Sequence, residues 1–173
     1  KGYAGRLNYR SRLVVTEIKK AMKKADVPCE AELFSGMPPL ESVKALLSLF
    51  VSHSQDETKG KRTLAMYDIS RAHFHGVPVR RVFVELPDEE KERLARENGH
   101  DREYVVGLLR KCMYGTLDAS ARWQAHYAQI LKKHGFVQGL TNPSLFVHVE
   151  RNVRLLVHGD DFMAEMPTHE EKW

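Results

Sequence analysis

Leu155-Leu156-Val157-His158-Gly159-Asp160-Asp161-Phe162 is an apolar strand that runs into a glycine and two consecutive carboxylates, with a second short apolar stretch beyond them. Glycine and aspartate are residues that a tight turn selects, so the pattern reads as a hairpin with the acidic pair at its tip. Adjacent carboxylates repel each other, and a divalent cation relieves that repulsion. A comparable interruption lies upstream in Met66-Tyr67-Asp68-Ile69-Ser70, where Asp68 breaks a hydrophobic strand. Either feature alone is more often a turn or a cap than a site. Together they supply three carboxylates at strand ends, an all-oxygen set of the kind magnesium accepts beside substrate phosphates. Two ions about 4 Å apart on such a set serve phosphoryl transfer. Convergence of Asp68 with Asp160 and Asp161 is therefore the expectation on which the functional reading depends.

Working outward, Leu145 to Val149 and Val153 to Val157 read as paired strands around a Glu150-Arg151-Asn152 turn. Asp118 is a suitable N-cap for a helix whose buried stripe is Trp123, Tyr127, Ile130 and Leu131, closed by Gly135. Trp123 and Tyr127 carry rings able to stack on bases, but their helical spacing with Leu131 reads as core. Further strands are expected at Tyr9 to Val15, Thr63 to Ile69, Val79 to Leu86 and Tyr104 to Leu109. Asp88 to Asn98 reads as a charged, exposed helix after Pro87. Another helix begins near Leu40 and is expected to bury Leu40, Val43, Leu47 and Phe50. A short basic helix carrying Lys19-Lys20 and Lys23-Lys24 should end near Asp26. Helices and strands mix without regular alternation, which points to an α+β domain with a largely antiparallel sheet and helices on one face.

The 173 residues suffice for one domain, or one and a fraction, with a real core. No apolar run approaches the roughly 20 residues of a membrane span, and no low-complexity tract appears. Cys29 and Cys112 are the only cysteines and stand outside any metal-ligand spacing, as in an intracellular protein without a disulfide framework. A net charge of +4 is compatible with a phosphate-backbone partner without establishing one. His73, His75 and His158 lack a fourth ligand at recognisable spacing, so a zinc site is not expected.

Several segments, in order, resemble copia-type retrotransposon reverse transcriptases. Tyr9-Arg10-Ser11-Arg12-Leu13-Val14 resembles their "YKARLV", and Asp68-Ile69-Ser70-Arg71-Ala72-His73-Phe74-His75-Gly76 their "DVxxAFLHG". Val82-Phe83-Val84-Glu85-Leu86-Pro87 is similar to "VYMxxP", and Cys112-Met113-Tyr114-Gly115 with Trp123 to "SLYGLKQAPRAW". Gly135-Phe136 and Asn142-Pro143-Ser144-Leu145-Phe146 are similar to "GF…SDPSLF", and His158-Gly159-Asp160-Asp161 stands where the family has "YVDD". The resemblance implies a right-hand polymerase, with fingers over about 1–62 and a palm over 63–173. It implies two Mg2+ ions, with Mn2+ as a substitute, held by Asp68, Asp160 and Asp161 as the catalytic carboxylates. It places Arg10 and Arg12 near the triphosphate, His73 under the nucleotide sugar, and Gly115 where backbone meets nucleotide or template. The implied partners are an RNA or DNA template-primer, deoxynucleotides and the rest of a Pol polyprotein, integrase before and ribonuclease H after. The implied setting is intracellular, in a cytoplasmic virus-like particle or the nucleus.

The chain departs from that pattern at His73, where the family has Phe or Tyr, and at His158 and Gly159. Thr116-Leu117-Asp118-Ala119-Ser120 replaces "LKQAP", losing a basic residue and a glutamine. Two alternatives stand beside the polymerase: a decayed or repurposed fragment that binds nucleic acid without catalysis, and a magnesium-dependent nuclease or phosphatase. The chain begins with Lys1 and runs about a dozen residues past Asp161, so it is expected to be an internal piece without thumb or ribonuclease H and, alone, a weak polymerase.

Overall fold

A computed structural model describes residues 13–17, 35–56, 58 and 60–172. The basic helix expected up to Asp26 lies outside the described residues, as do Arg10, Arg12 and Cys29. Helix α1 spans Leu40–Gln55 and strand β1 Arg62–Asp68; a 3-10 turn, Ala72–His75, leads to β2 at Phe83–Glu85. Then come α2 (Asp88–Asn98), β3 (Val106–Leu108), α3 (Ala119–Lys133), β4 (Val137–Gln138), β5 (Leu145–His148), β6 (Val153–His158) and β7 (Asp161–Pro167). The main sheet has the order β1-β7-β6-β5-β4, every neighbour antiparallel, and β2 and β3 form a separate ribbon. The α+β class with an antiparallel sheet is what the sequence led us to expect.

Alternation along the strands divides the sheet into two faces. On one, Val153, Leu155 and Val157 of β6 line up with Ala164 and Met166 of β7 and Phe146 of β5. Helix α3 seals this face with Trp123 and Tyr127, four residues apart and one helical turn along the same stripe. The Tyr127 ring meets Phe146 and Phe162 edge-on, at centroid distances of 5.9 and 5.5 Å. Burial of each such side chain contributes about 1.5–3 kcal/mol, which makes this layer the main source of cohesion. Ile130 turns out 46% exposed, one position off the stripe expected to hold it.

The other face carries rows set by the register: Asp68, Asp161 and His158; then Met66, Met163 and Leu156; then Leu64, Glu165 and Arg154. Helix α1 lies against this second face, so the expectation of helices on one face is corrected to one helix on each. The buried residues of α1 are Leu46 and His53, whereas Leu40 and Leu47 of the expected stripe are exposed. Polar anchors set that rotation. Asn142 Nδ2 donates to Ser42 Oγ at 2.8 Å, and His53 Nδ1 lies 3.0 Å from Glu165 Oε1. Helix α2 buries nothing and stands off on ion pairs such as Arg102 with Asp88. The β2–β3 ribbon is shorter than the strands expected there, and the two-residue β4 has no counterpart in the sequence reading.

Glu165 is fully buried, and Arg62 Nε (2.6 Å), His53 and Arg154 NH1 (3.0 Å) all reach it. Burial pushes its carboxyl up, but the hydrogen bonds from His53, Arg62 and Arg154 outweigh that and hold it below the ordinary value of 4.5. A depressed folded-state value stabilises the fold above the unfolded value and is lost as pH falls through the folded one. Glu165→Gln is expected to cost about 3–5 kcal/mol near neutrality, because it strands the guanidinium of Arg62. In urea unfolding, the gap between the two proteins should begin to close below about pH 4.5 and vanish in stronger acid. A gap independent of pH would show that the carboxylate charge is not what holds the cluster.

Candidate functional site

The β6–β7 hairpin turns on two residues, Gly159 and Asp160, between the paired His158 and Asp161. Gly159 sits at φ 67°, in the left-handed region that glycine enters without cost, so glycine suits this turn better than a branched residue would. The next strand pair sets Asp68 directly opposite Asp161. Asp160 is tied to the same corner, since Ile69 N donates to its carbonyl at 2.9 Å. The three aspartates expected to act together therefore occupy one end of the sheet, all exposed. Like charges facing each other across a strand pair destabilise a sheet, and none of the three has a cationic partner among the described residues. Nor do any three His, Cys, Asp or Glu side chains among the described residues stand close enough, as placed, to hold a metal ion. The backbone seats of the three adjoin.

The surroundings are of two kinds. In front, on the aspartate face, Met66 is 67% exposed beside Met163, giving an apolar floor next to the acidic row. Behind, Trp123 Nε1 donates to the Gly159 carbonyl at 2.8 Å, connecting the core to the turn. Trp123 also meets His75 and His126, whose rings stack on each other 5.9 Å apart. Burial first, and the neighbouring His75 and Lys111 next, lower the His126 imidazole from its ordinary value. The sequence reading assigned Trp123 to packing alone. Its contact with the turn was signalled only by the lone N–H that a buried indole must place somewhere.

His73, five residues past Asp68, lies half-buried in the 3-10 turn. Its Nε2 is 3.2 Å from Ser120 Oγ, and its ring meets Tyr114 edge-on at 4.5 Å. The chain enters that turn through Arg71 at φ 58°. Gly115, expected to face nucleotide or template, is approached by residues 13–17: Val15 N donates to the Tyr114 carbonyl at 2.8 Å. A Cβ on Gly115 would stand 1.7 Å from the Val15 carbonyl oxygen, at a φ of 94°. Glu17 secures the same contact by accepting from Leu117 N at 2.8 Å and pairing with Arg80. Asp118, expected to cap α3, makes no cap hydrogen bond; it is buried with Arg80 NH2 at 3.8 Å. Beside it Cys112 is covered, and burial, then the Asp118 charge, pushes its thiol up to about 11. A groove of about 630 Å³ runs between residues 13–17 and β2, and none of the three aspartates lines it.

No protein-family model matches the chain, and no curated protein and no solved structure matches it either. Among the described residues, no helix is long and apolar enough to cross a membrane.

The two left-handed glycines should respond differently to substitution. At Gly159 nothing lies within 4 Å of a new Cβ, so Gly159→Val carries conformational strain alone, about 1–2 kcal/mol. Gly115→Ala adds a collision with backbone that cannot rotate away, and should cost clearly more, at least about 3 kcal/mol. Urea unfolding of both variants checks this; equal costs would mean that residues 13–17 do not pack where they are described.

Proposed function

We propose that this chain is the fingers-and-palm part of a copia-type reverse transcriptase, which adds deoxynucleotides to a primer 3′-hydroxyl on an RNA or DNA template. The observation that carries the reading is the register that sets Asp68 opposite Asp161, with Asp160 in the adjoining turn. A sheet that gathers at one corner carboxylates unpaired among the described residues accepts a standing repulsion, and a role in holding cations accounts for it. The donor set is all oxygen and fits magnesium, with manganese as a substitute. The backbone positions of the three already adjoin, which is the placement a shared pair of ions would need. Bound there, two magnesium ions would promote loss of the primer hydroxyl's proton and offset charge on the triphosphate.

The protein's own part is orientation. Asp68 and Asp161 face the side of the sheet that α3 does not cover, so a primer terminus would approach over Met66 and Met163. His73 follows from Asp68 through the 3-10 turn and would lie under the sugar, where the family's larger ring excludes a 2′-hydroxyl. Imidazole fills less of that space and offers a polar edge, which favours admission of ribonucleotides. Arg10 and Arg12, outside the described residues, would meet the triphosphate by resemblance alone.

Primer extension with magnesium tests the reading. Extension by this chain should be weak but detectable, and fall at least about 10²-fold in Asp160→Asn. His73→Phe should raise the preference for deoxy- over ribonucleotides, by up to about 10²-fold. Equal preferences in the two proteins would remove His73 from sugar selection. Salt-sensitive nucleic-acid binding without extension would assign the chain to a repurposed binding fragment instead. Phosphodiester cleavage without nucleotides would assign it to a nuclease.

A further inference from the structure

Asp160 is flanked by two peptide planes, and each is held from a different direction. The plane before it carries the Gly159 carbonyl, which accepts from Trp123 Nε1 at 2.8 Å, across 36 residues of chain. The plane after it carries the Asp160 carbonyl, which accepts from Ile69 N at 2.9 Å. A peptide unit is rigid, so a hydrogen bond held at its oxygen restrains the whole plane. With both planes held, the backbone torsions of Asp160 are restrained, and the freedom left to its carboxylate is mainly that of the side chain. Ile69 adjoins Asp68, so one of these bonds also joins two of the three aspartates directly.

Trp123 is itself immobilised. It is 6% exposed, packs edge-on against Tyr127 and Phe162 at 5.3 and 6.2 Å, and carries His75 and His126 against its ring. His75 belongs to the 3-10 turn that also bears His73. One indole thus joins α3, the 3-10 turn and the carboxylate turn. Phenylalanine would serve for packing; the directed N–H serves something more.

We propose that Trp123 is a positioning residue for the carboxylate turn, its N–H setting the peptide plane from which Asp160 projects. The proposal rests on the polymerase reading for its consequence in catalysis, but not for its effect on the turn.

The test replaces Trp123 by 3-benzothienylalanine, which keeps the ring shape and lacks the N–H, with Trp123→Phe as a second variant. Three quantities are read: hydrogen exchange at the Ile69 amide against amides of β5 and β6, magnesium affinity by calorimetry, and kcat and KM for primer extension. The expected result is faster exchange at Ile69 with core amides unchanged. Magnesium affinity and kcat should each fall about 10–100-fold, as when a partner of a metal ligand is lost, with little change in nucleotide KM. Unaltered exchange at Ile69 in a folded benzothienyl variant overturns the proposal. Should the parent bind no magnesium and Asp160→Asn change nothing, the polymerase reading fails, and the Ile69 amide alone still decides the role of Trp123.

Discussion

Glu165 has no contact with solvent, and its two oxygens are met by groups from three other elements: Arg62 of β1, Arg154 of β6 and His53 of α1. Arg62 goes on to donate to the Asn152 carbonyl at the turn entering β6. An arrangement of this kind adds little net stability, because desolvating the charges offsets most of their attraction. What it does is select. A slip of one residue along β7 would turn Glu165 into the layer of Tyr127, Phe146 and Val157, where no cation waits. The same register, read four residues along the strand, determines that Asp161 faces Asp68. The geometry of the acidic corner is thus fixed by a carboxylate at the other end of the sheet.

That corner is organised against its own electrostatics. Asp68, Asp160 and Asp161 stand on adjoining backbone with no counter-charge among the described residues, yet the strands carrying them rest on the buried aromatic layer. The cohesion of Trp123, Tyr127, Phe146 and Phe162 outweighs the repulsion, and the two hydrogen bonds to the turn keep it from opening. The corner is thus held from behind while its front face stays acidic and open.

Much of this was legible in the sequence because local rules agreed with the fold. The glycine and paired aspartates marked the hairpin turn, and the apolar run before them marked β6. The acidic first turn after Pro87 marked α2, which spans the expected Asp88–Asn98. The failures share a cause, which is contact across long separations with polar or backbone partners. Helix α1 is rotated because its anchors are Asn142 and Glu165, which no apolar periodicity reveals. Asp118 stands at the expected N-cap position of α3, but its carboxylate lies beside Arg80 and makes no cap hydrogen bond. Gly115 packs against Val15, a contact that no local pattern announces. Trp123 was assigned to the core correctly, and the direction of its N–H remained invisible.

The thiol of Cys112 is covered, kept in its neutral form, and held at the joint where Cys112 N donates to the Gly76 carbonyl. Alkylating reagents attack thiolates, so both burial and the raised value protect this sulfur while the joint is closed. The joint links the 3-10 turn bearing His73 and His75 to the segment leading into α3. Its opening converts an inert atom into a reactive one, and the rate of labelling then measures how often that joint opens. The protein thereby carries a chemical clock for motions directly behind its acidic corner, on a timescale that no static distance conveys.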